Sequence, residues 1–512
     1  MNRRTDRRLA ILATAALLVL AGCGTRVSHS DVVAGAGGTT VSLDNASIQA
    51  LKTAAGSAAA AAPAAATTTR TAANAPAAAT STTKTGTSTG GAPAPAPLVS
   101  GTVPAAGARA GKTGATAAAA KPGGGTAAAA PAAATAADAP CTASGAPLKL
   151  GQVGGFSGVE GPVTADARNG LATWVQYVNA HGGIACHPIV VYAVDDGADP
   201  ARAAAAVQDL VSNKGVQALV GVFDPIGFPG ILSGAEKAKI PVIGGDGIDF
   251  AWNQNPYLFP TGAGLLGAIR GALQQTVAAG KTNLGLLYCV EASVCTNGQK
   301  IIEDETKKAG AKLTYSSAIS LTQPDFTAQC QSAKNAGVQA MGMAMDGASI
   351  GRVARSCAAI SYHPEFITNG LVLSPQNAND PDIRRNTLAS ASAVAPWTLD
   401  DTEGQKEYHA GLAKFAPGLT PDADSIYAWA AGKLVEAAVH GLGAKARTAP
   451  ITTGDLMTGL GTIHNETLGG LTPPMTFSPG QKAAPLITCV YFELLSDKGW
   501  TTSSGSKPQC TK

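Results

Sequence analysis

Residues 148–196 read LKLGQVGGFSGVEGPVTADARNGLATWVQYVNAHGGIACHPIVVYAVDD. The apolar run 148–153 predicts a strand, and a glycine-rich loop, 154–158, follows it. Apolar side chains at helical spacing then predict a helix over 162–180, which two glycines end. A second apolar run, 189–194, predicts the next strand. This order predicts a parallel βαβ unit and sets the fold class as α/β.

The same alternation continues along the chain and predicts two consecutive series of strands and helices. Asp199 is suited to cap the N-terminus of the next predicted helix, and Pro200 is suited to its first position. A non-helical stretch at 255–262 separates the two series, which indicates two lobes, each a mostly parallel sheet flanked by helices. The further predicted helices are 200–213, 229–238, 263–279, 297–309, 325–336, 348–360, 404–415, 422–441 and 452–460. The further predicted strands are 216–222, 241–244, 283–288, 312–318, 338–344, 365–369, 473–478 and 486–494.

The chain before this region has a different composition. Of the 24 aromatic residues among the 512, the first is Phe156. Residues 1–140 carry 11 Lys and Arg against 4 Asp and Glu, a net charge of +7, whereas residues 141–512 carry 26 against 30, a net charge of −4. Because the folded part is acidic, a nucleic-acid partner is not expected.

The first residues have the pattern of an export signal. Four arginines precede the short apolar run 9–20, and Leu20-Ala21-Gly22-Cys23 resembles the bacterial lipobox, in which the cysteine is lipidated. We expect 1–22 to be a lipoprotein signal peptide and Cys23 to anchor the exported chain to the outer face of the cytoplasmic membrane. Residues 23–140, rich in Ala, Thr, Gly and Pro, predict a disordered tether that has no apolar face to bury.

Eight cysteines remain after Cys23, and an even number in an exported protein indicates disulfides. Spacing favours Cys289 with Cys295 around one loop, and Cys330 with Cys357 on successive helices. Cys141 and Cys186 precede the first and second strands, which leaves Cys489 and Cys510 for each other. A metal site is not expected because the chain has no C-x2-C pair and no helical histidine pair.

Several segments, taken in order, resemble the type I periplasmic binding proteins, and more narrowly their Leu/Ile/Val-binding branch. The resemblance is dense over about 120 residues and looser to about residue 440. It is carried by PLKLG at 147–151, GFSG at 155–158, VNAHGGI at 178–184, VDD at 194–196, GVQALVG at 215–221, IPVI at 240–243 and NPYLF at 255–259.

The resemblance implies two lobes joined by three hinge crossings, with a ligand held between them and delivered to an ABC permease. We assign 141–262 with 397–465 to lobe 1, and 263–396 with 466–512 to lobe 2. The expected function is capture of a small polar solute, amino-acid or amide-like, by a monomer attached to the membrane only through its lipid. A ligand-binding surface sensor of the same fold remains the alternative.

Ligands of open α/β sheets lie beyond the carboxyl ends of strands, near helix N-termini. In family members that bind amino acids, hydroxyls hold the ligand carboxylate at two of these places. The matching pairs here, Asp224-Pro225 and Gly247-Ile248, lack a hydroxyl, and acidic residues in these loops suit a cationic, amide or hydroxyl-rich ligand. The predicted ligand-binding residues are Ser157, Phe223, Asp224, Gly245, Asp246, Gly247, Glu291, Asp346 and Asn369.

No motif indicates catalysis. A G-x-G-x-x-G match at 262–267 stands alone at the presumed lobe crossing and is weak evidence for a dinucleotide. No G-x-S-x-G occurs, and Ser157 has no evident His–Asp partners. We therefore expect no enzyme activity and no cofactor.

Overall fold

The computed structural model describes residues 145–511. The predicted signal peptide, the lipidation site Cys23, the tether 23–140 and Cys141 lie outside the described residues. No helix within 145–511 is both long enough and apolar enough to cross a membrane.

The first lobe is built on a five-stranded, fully parallel sheet in the order β2-β1-β3-β4-β5. Its strands are β1 Leu148–Gly154, β2 Ile189–Asp195, β3 Ala218–Val222, β4 Val242–Gly245 and β5 Leu258–Phe259. Its helices are α1 Gly161–Ala180, α2 Pro200–Asp209 and α3 Phe228–Ala238. Asp199 caps α2 as predicted, because its carboxylate accepts bonds from the amides of Ala201 and Arg202.

The second lobe holds an eight-stranded sheet whose first five strands, β6 to β10, run parallel to one another, whereas β11 pairs with β10 in the antiparallel sense. Its order is β12-β11-β10-β9-β8-β6-β7, with β13 paired to β11. The strands are β6 Asn283–Cys289, β7 Lys312–Ile319, β8 Ala340–Ala344, β9 Glu365–Asn369, β10 Leu388–Ser392, β11 Cys489–Ser496, β12 Gly499–Thr501 and β13 Gln509–Cys510. The helices are α4 Leu265–Ala278, α5 Ser293–Lys308, α6 Thr327–Asn335, α7 Gly347–Ala359, α8 Pro375–Asn379 and α9 Pro381–Asn386.

Three further helices, α10 Glu403–Phe415, α11 Ala423–His440 and α12 Thr453–Leu460, lie between β10 and β11 along the chain. Helix α11 packs on α1 and on strands β3 and β4 of the first lobe. The indole of Trp174 lies against Gly432, where a Cβ would come within 2.2 Å of the ring. Its Nε1 donates to Glu436 Oε1 at 2.7 Å. The first lobe therefore draws its second helical layer from the C-terminal part of the chain.

The segment after α12 differs from expectation. The sequence predicts a strand over 473–478, but the structure has only an isolated bridge between Glu466 and Met475. Phe477 packs edge-on against Phe259 of β5, with ring centroids 5.3 Å apart. Because these contacts fall on the first lobe, we propose that the third crossing lies between Phe477 and Cys489, later than residue 466.

Three of the predicted disulfides are confirmed. Cys289 bonds to Cys295, Cys330 to Cys357, and Cys489 to Cys510. Cys186 is also disulfide-bonded, and the partner that the sequence predicts for it, Cys141, lies outside the described residues. All three described bonds lie in the second lobe, on or beside its sheet.

Replacing Cys330 and Cys357 together by serine is expected to lower the free energy of unfolding by roughly 3.5 kcal/mol, because their bond spans a sequence separation of 27. The same double replacement of Cys289 and Cys295, with a separation of 6, is expected to cost roughly 2 kcal/mol. Denaturant unfolding of both variants measures the two losses. A larger loss from the shorter loop would contradict the loop-closure argument.

Candidate ligand-binding cleft

A cavity of about 240 Å³ opens where the carboxyl ends of strands from both sheets come together. Phe223 and Asp246, which follow β3 and β4, line it from the first lobe. Asp346, which follows β8, and Asn369, the last residue of β9, line it from the second. The carboxyl ends of parallel strands are the usual ligand site of α/β sheets, so this cavity is the candidate binding cleft.

Two of these polar residues also hold the local backbone. Asp346 is the N-cap of α7 and accepts a hydrogen bond from the amide of Ser349 at 2.9 Å and another from the Ser349 hydroxyl. Asn369 Oδ1 accepts from the amide of Leu371 at 2.9 Å. The Asn369 side-chain nitrogen has no hydrogen-bond partner within residues 145–511, which leaves a donor at the cavity wall.

The structure separates the predicted ligand-binding residues into two groups. Phe223, Asp246, Asp346 and Asn369 line the cavity. Ser157, Asp224, Gly245, Gly247 and Glu291 are not among the side chains that line it. Ser157 is exposed, and the Glu291 carboxylate accepts bonds from the Ser320 hydroxyl at 2.6 Å and the Leu321 amide at 2.9 Å.

Most of the lining is apolar and comes from positions outside the strand-end loops. It includes Leu265, Ile269 and Leu273 on α4, and Val294 and Ile302 on α5. In the sequence these side chains look like the ordinary core-facing positions of two helices, so no signal distinguishes them. The lining contains no lysine, arginine or histidine, and within residues 145–511 no group of acidic, His or Cys side chains is arranged to hold a metal ion.

Three buried carboxyls form a cluster at the first-lobe wall of the cavity, and one of them, Glu160, is part of the lining. Asp224 is fully buried between Glu160 and Asp196, within hydrogen-bonding reach of both. Its Oδ1 accepts from the amide of Gly227 at 2.7 Å. Glu160 Oε1 and Asp196 Oδ1 likewise accept from the amides of Ile226 and Ala198. The second oxygen of each carboxyl accepts no hydrogen bond from an amide or hydroxyl of the described chain, so only a proton held between two carboxyls can join them.

Burial without a cation keeps these groups partly protonated near neutral pH. Desolvation is the main cause that raises the pKa of Asp196 to about 8, and of Asp224 and Glu160 to about 7. Asp246, whose Oδ2 accepts from the amide of Asp224 at 3.0 Å, has its pKa raised to about 6, again mainly by burial. A proton on one carboxyl can then be shared with the next.

These raised pKa values fix the sign of the pH dependence of stability. Between about pH 4 and pH 8 the folded protein holds protons on these carboxyls that the unfolded chain has already released. The stabilisation is fully present below the unfolded pKa values and is lost as the pH rises through the folded ones. The protein is therefore expected to be more stable near pH 5 than near pH 8.

The variant Asp224→Asn tests this arrangement, since asparagine keeps the acceptor for the Gly227 amide and removes the charge. We expect its melting temperature to exceed that of the parent protein by roughly 3 °C at pH 8 and to match it near pH 4.5. The control is Asp199→Asn, at an exposed cap whose pKa is lowered by the amides that it accepts from. A lower melting temperature for Asp224→Asn at pH 8 would show that Asp224 is a stabilised anion.

Comparison with known proteins agrees with this architecture. The family model described as periplasmic binding protein matches residues 147–493. The fatty acid ABC transporter substrate-binding protein from Thermomonospora curvata is 18% identical, with a TM-score of 0.62 over 72% of this chain and 95% of that one. A possible leucine/isoleucine/valine-binding protein from Rhodopirellula baltica SH 1 is 17% identical, with a TM-score of 0.62 over 71% and 98%.

A solute-binding protein of an ABC transporter from R. palustris, in complex with benzoate, is 16% identical, with a TM-score of 0.58 over 72% of this chain and 98% of that one. At these identities the likeness shows the shared two-lobe fold. The family match covers more than half of the chain. The members of that family and the structures named above are binding proteins rather than enzymes. The chain therefore belongs to the type I periplasmic binding protein family.

Proposed function

We propose that this protein is an extracytoplasmic lipoprotein that captures a small organic solute between its lobes and delivers it to an ABC permease. The observation that carries the proposal is the cavity itself, which both lobes line at the carboxyl ends of their parallel strands. A solute that contacts both walls binds the closed arrangement better than the open one and shifts the protein toward closure. The closed form is the state that a permease would recognise.

The side chains that line the cavity bear on the chemistry of the solute. Glu160, Asp246, Asp346 and Asp424 supply carboxyls, and no basic side chain lines the cavity to balance them. A free carboxylate on the ligand would meet no cation in this lining and would lie close to several acidic side chains. From the sequence we expected a small polar solute, amino-acid or amide-like. We now propose an amide, hydroxyl or amine at one end of a largely apolar body.

The solved structures named above support an apolar body, since their names refer to a fatty acid, to leucine, isoleucine and valine, and to benzoate. Those ligands belong to those proteins. They share the feature that the apolar lining here would favour, namely a hydrocarbon portion that loses water on binding.

A thermal-shift screen with three ligand series of the same hydrocarbon body tests the proposed solute chemistry. Amines and amides are expected to raise the melting temperature of the predicted mature chain, residues 23–512 with Cys23→Ser, and carboxylates are not. For amines the shift should grow between pH 5.5 and pH 8, because Asp246 and Glu160 lose their protons in this range and attract a cation. Stabilisation by carboxylates alone would contradict the proposal.

Cys23→Ala tests the anchor. The variant is expected to leave the membrane fraction and appear in the soluble extracytoplasmic fraction, because a single cysteine carries the lipid. Ser28→Ala, five residues further along the chain, serves as the matched control and should stay in the membrane fraction. If Cys23→Ala also stays there after a high-salt wash, the proposed lipid anchor is wrong.

A further inference from the structure

The cavity continues from the cleft into the interior of the second lobe. It passes beneath α4 and α5 and over the face of the second sheet. The lining of this inner arm comes from Ala268, Ile269, Ala272 and Leu273 on α4, from Gly298, Ile302 and Thr306 on α5, and from Leu284, Leu286, Leu313, Gly342 and Ile367 on the strands. Almost all of these side chains are hydrocarbon.

The arm runs most of the length of the sheet. Val294, in the first turn of α5, lies at the cleft end, and Thr306 lies twelve residues further along the same helix, a distance of roughly 18 Å. At the far end Leu284 pairs with Leu313 near the starts of β6 and β7, which is the edge of the sheet opposite the cleft. The arm therefore reaches deep into the second lobe rather than forming a widening of the cleft.

Small residues create this space. Ala268 and Ala272 face the channel from α4, Gly298 faces it from α5, and Gly342 lies on the sheet below. A Cβ at Gly298 would sit 3.5 Å from the ring of Phe250, which extends from the first lobe to the mouth of the arm. Larger side chains at these positions would close the layer, as in a normally packed core.

One polar atom is left without a partner at the inner end. Thr306 is 1% exposed, and its hydroxyl has no hydrogen-bond partner in the described chain. A buried hydroxyl of this kind is costly when nothing satisfies it, so its place on a cavity wall indicates that a water or ligand atom meets it. We therefore expect a water at the Thr306 hydroxyl in the unliganded protein, which an entering group would displace.

We propose that this inner arm binds an aliphatic chain of the transported solute, while the polar end of the solute stays in the cleft at Asp246 and Asp346. The inference rests on the proposed function and adds the class of solute, an alkyl or acyl compound of medium chain length. An apolar cavity of 150 Å³ is enough to hold benzene, and this cavity measures about 240 Å³. A lining that extends roughly 18 Å along α5 suits a chain better than a compact ring system.

Isothermal calorimetry with straight-chain alkylammonium salts of 4 to 16 carbons tests the proposal on the predicted mature chain with Cys23→Ser, below the micelle concentration of each salt. Each added methylene is expected to tighten binding about fourfold until the chain fills the arm, at roughly ten to fourteen carbons. If the short amines bind and chain length has no effect, the inner arm is not the chain site, but the proposed capture function stands. Absence of binding by the whole series would overturn both.

Ala272→Leu places a larger side chain within the channel. It is expected to leave the affinity for the butyl and hexyl salts unchanged and to weaken the binding of the dodecyl salt at least tenfold. Ala278→Leu, on the exposed end of the same helix, is the matched control and should change neither. Equal weakening of short and long chains by Ala272→Leu would contradict the assignment.

Thr306→Val gives a test that a folding defect cannot imitate. A chain that reaches the end of the arm removes water from the Thr306 hydroxyl, and the hydroxyl then loses its hydrogen-bond partner. Replacing that hydroxyl by a methyl group is therefore expected to increase the affinity for the dodecyl salt at least fivefold. The butyl salt, which ends before Thr306, should bind equally to both proteins. Unchanged affinity for the dodecyl salt would show that the chain does not reach Thr306 and would overturn the proposal.

Discussion

The strands from β1 to β5 in one lobe, and from β6 to β10 in the other, run parallel to one another, and this constraint determines where the protein can bind. Parallel strands need a crossover between each pair, so every carboxyl end falls on one edge of its sheet. The two edges meet at the cleft, where short loops carry Phe223, Asp246, Asp346 and Asn369. The disulfides and helix caps stabilise these layers but do not choose the site.

The two walls of the cavity differ in physical character, and the difference gives the proposed solute two unlike ends. On the first-lobe side, buried carboxyls without cations hold their protons near neutral pH because desolvation disfavours the charge. On the second-lobe side, small residues on α4, α5 and the sheet leave the space between these layers unfilled, as an apolar channel. A polar head and a hydrocarbon chain would each meet the wall that suits it.

Much of the fold could be predicted from the sequence because its signals are local. Apolar runs, helical spacing and caps such as Asp199 gave the βα alternation, and Cys330 with Cys357 followed from the placement of successive helices. The predicted strand 473–478 was wrong, because the alternating apolar residues there lie in a loop that packs on the first lobe through Phe477.

Half of the candidate site could also be anticipated from the sequence, because the ends of the predicted strands mark it. The role of Asp224 could not be predicted, because only the structure shows that its carboxyl accepts a hydrogen bond from the Gly227 amide behind the cavity lining. The inner arm was equally hidden, because Ala272 and Gly298 resemble ordinary helix-packing residues.

We propose that one cavity, lined by both lobes, holds a solute whose hydrocarbon chain extends beneath α4 and α5. The most direct measurement is a crystal structure of the protein with its most strongly stabilising alkyl ligand. We expect one continuous ligand density that runs from Asp246 in the cleft to Thr306 at the inner end, with both lobes in contact with the ligand. Density confined to the outer surface, or a ligand held in the cleft with its chain turned toward solvent and the inner arm empty, would contradict it.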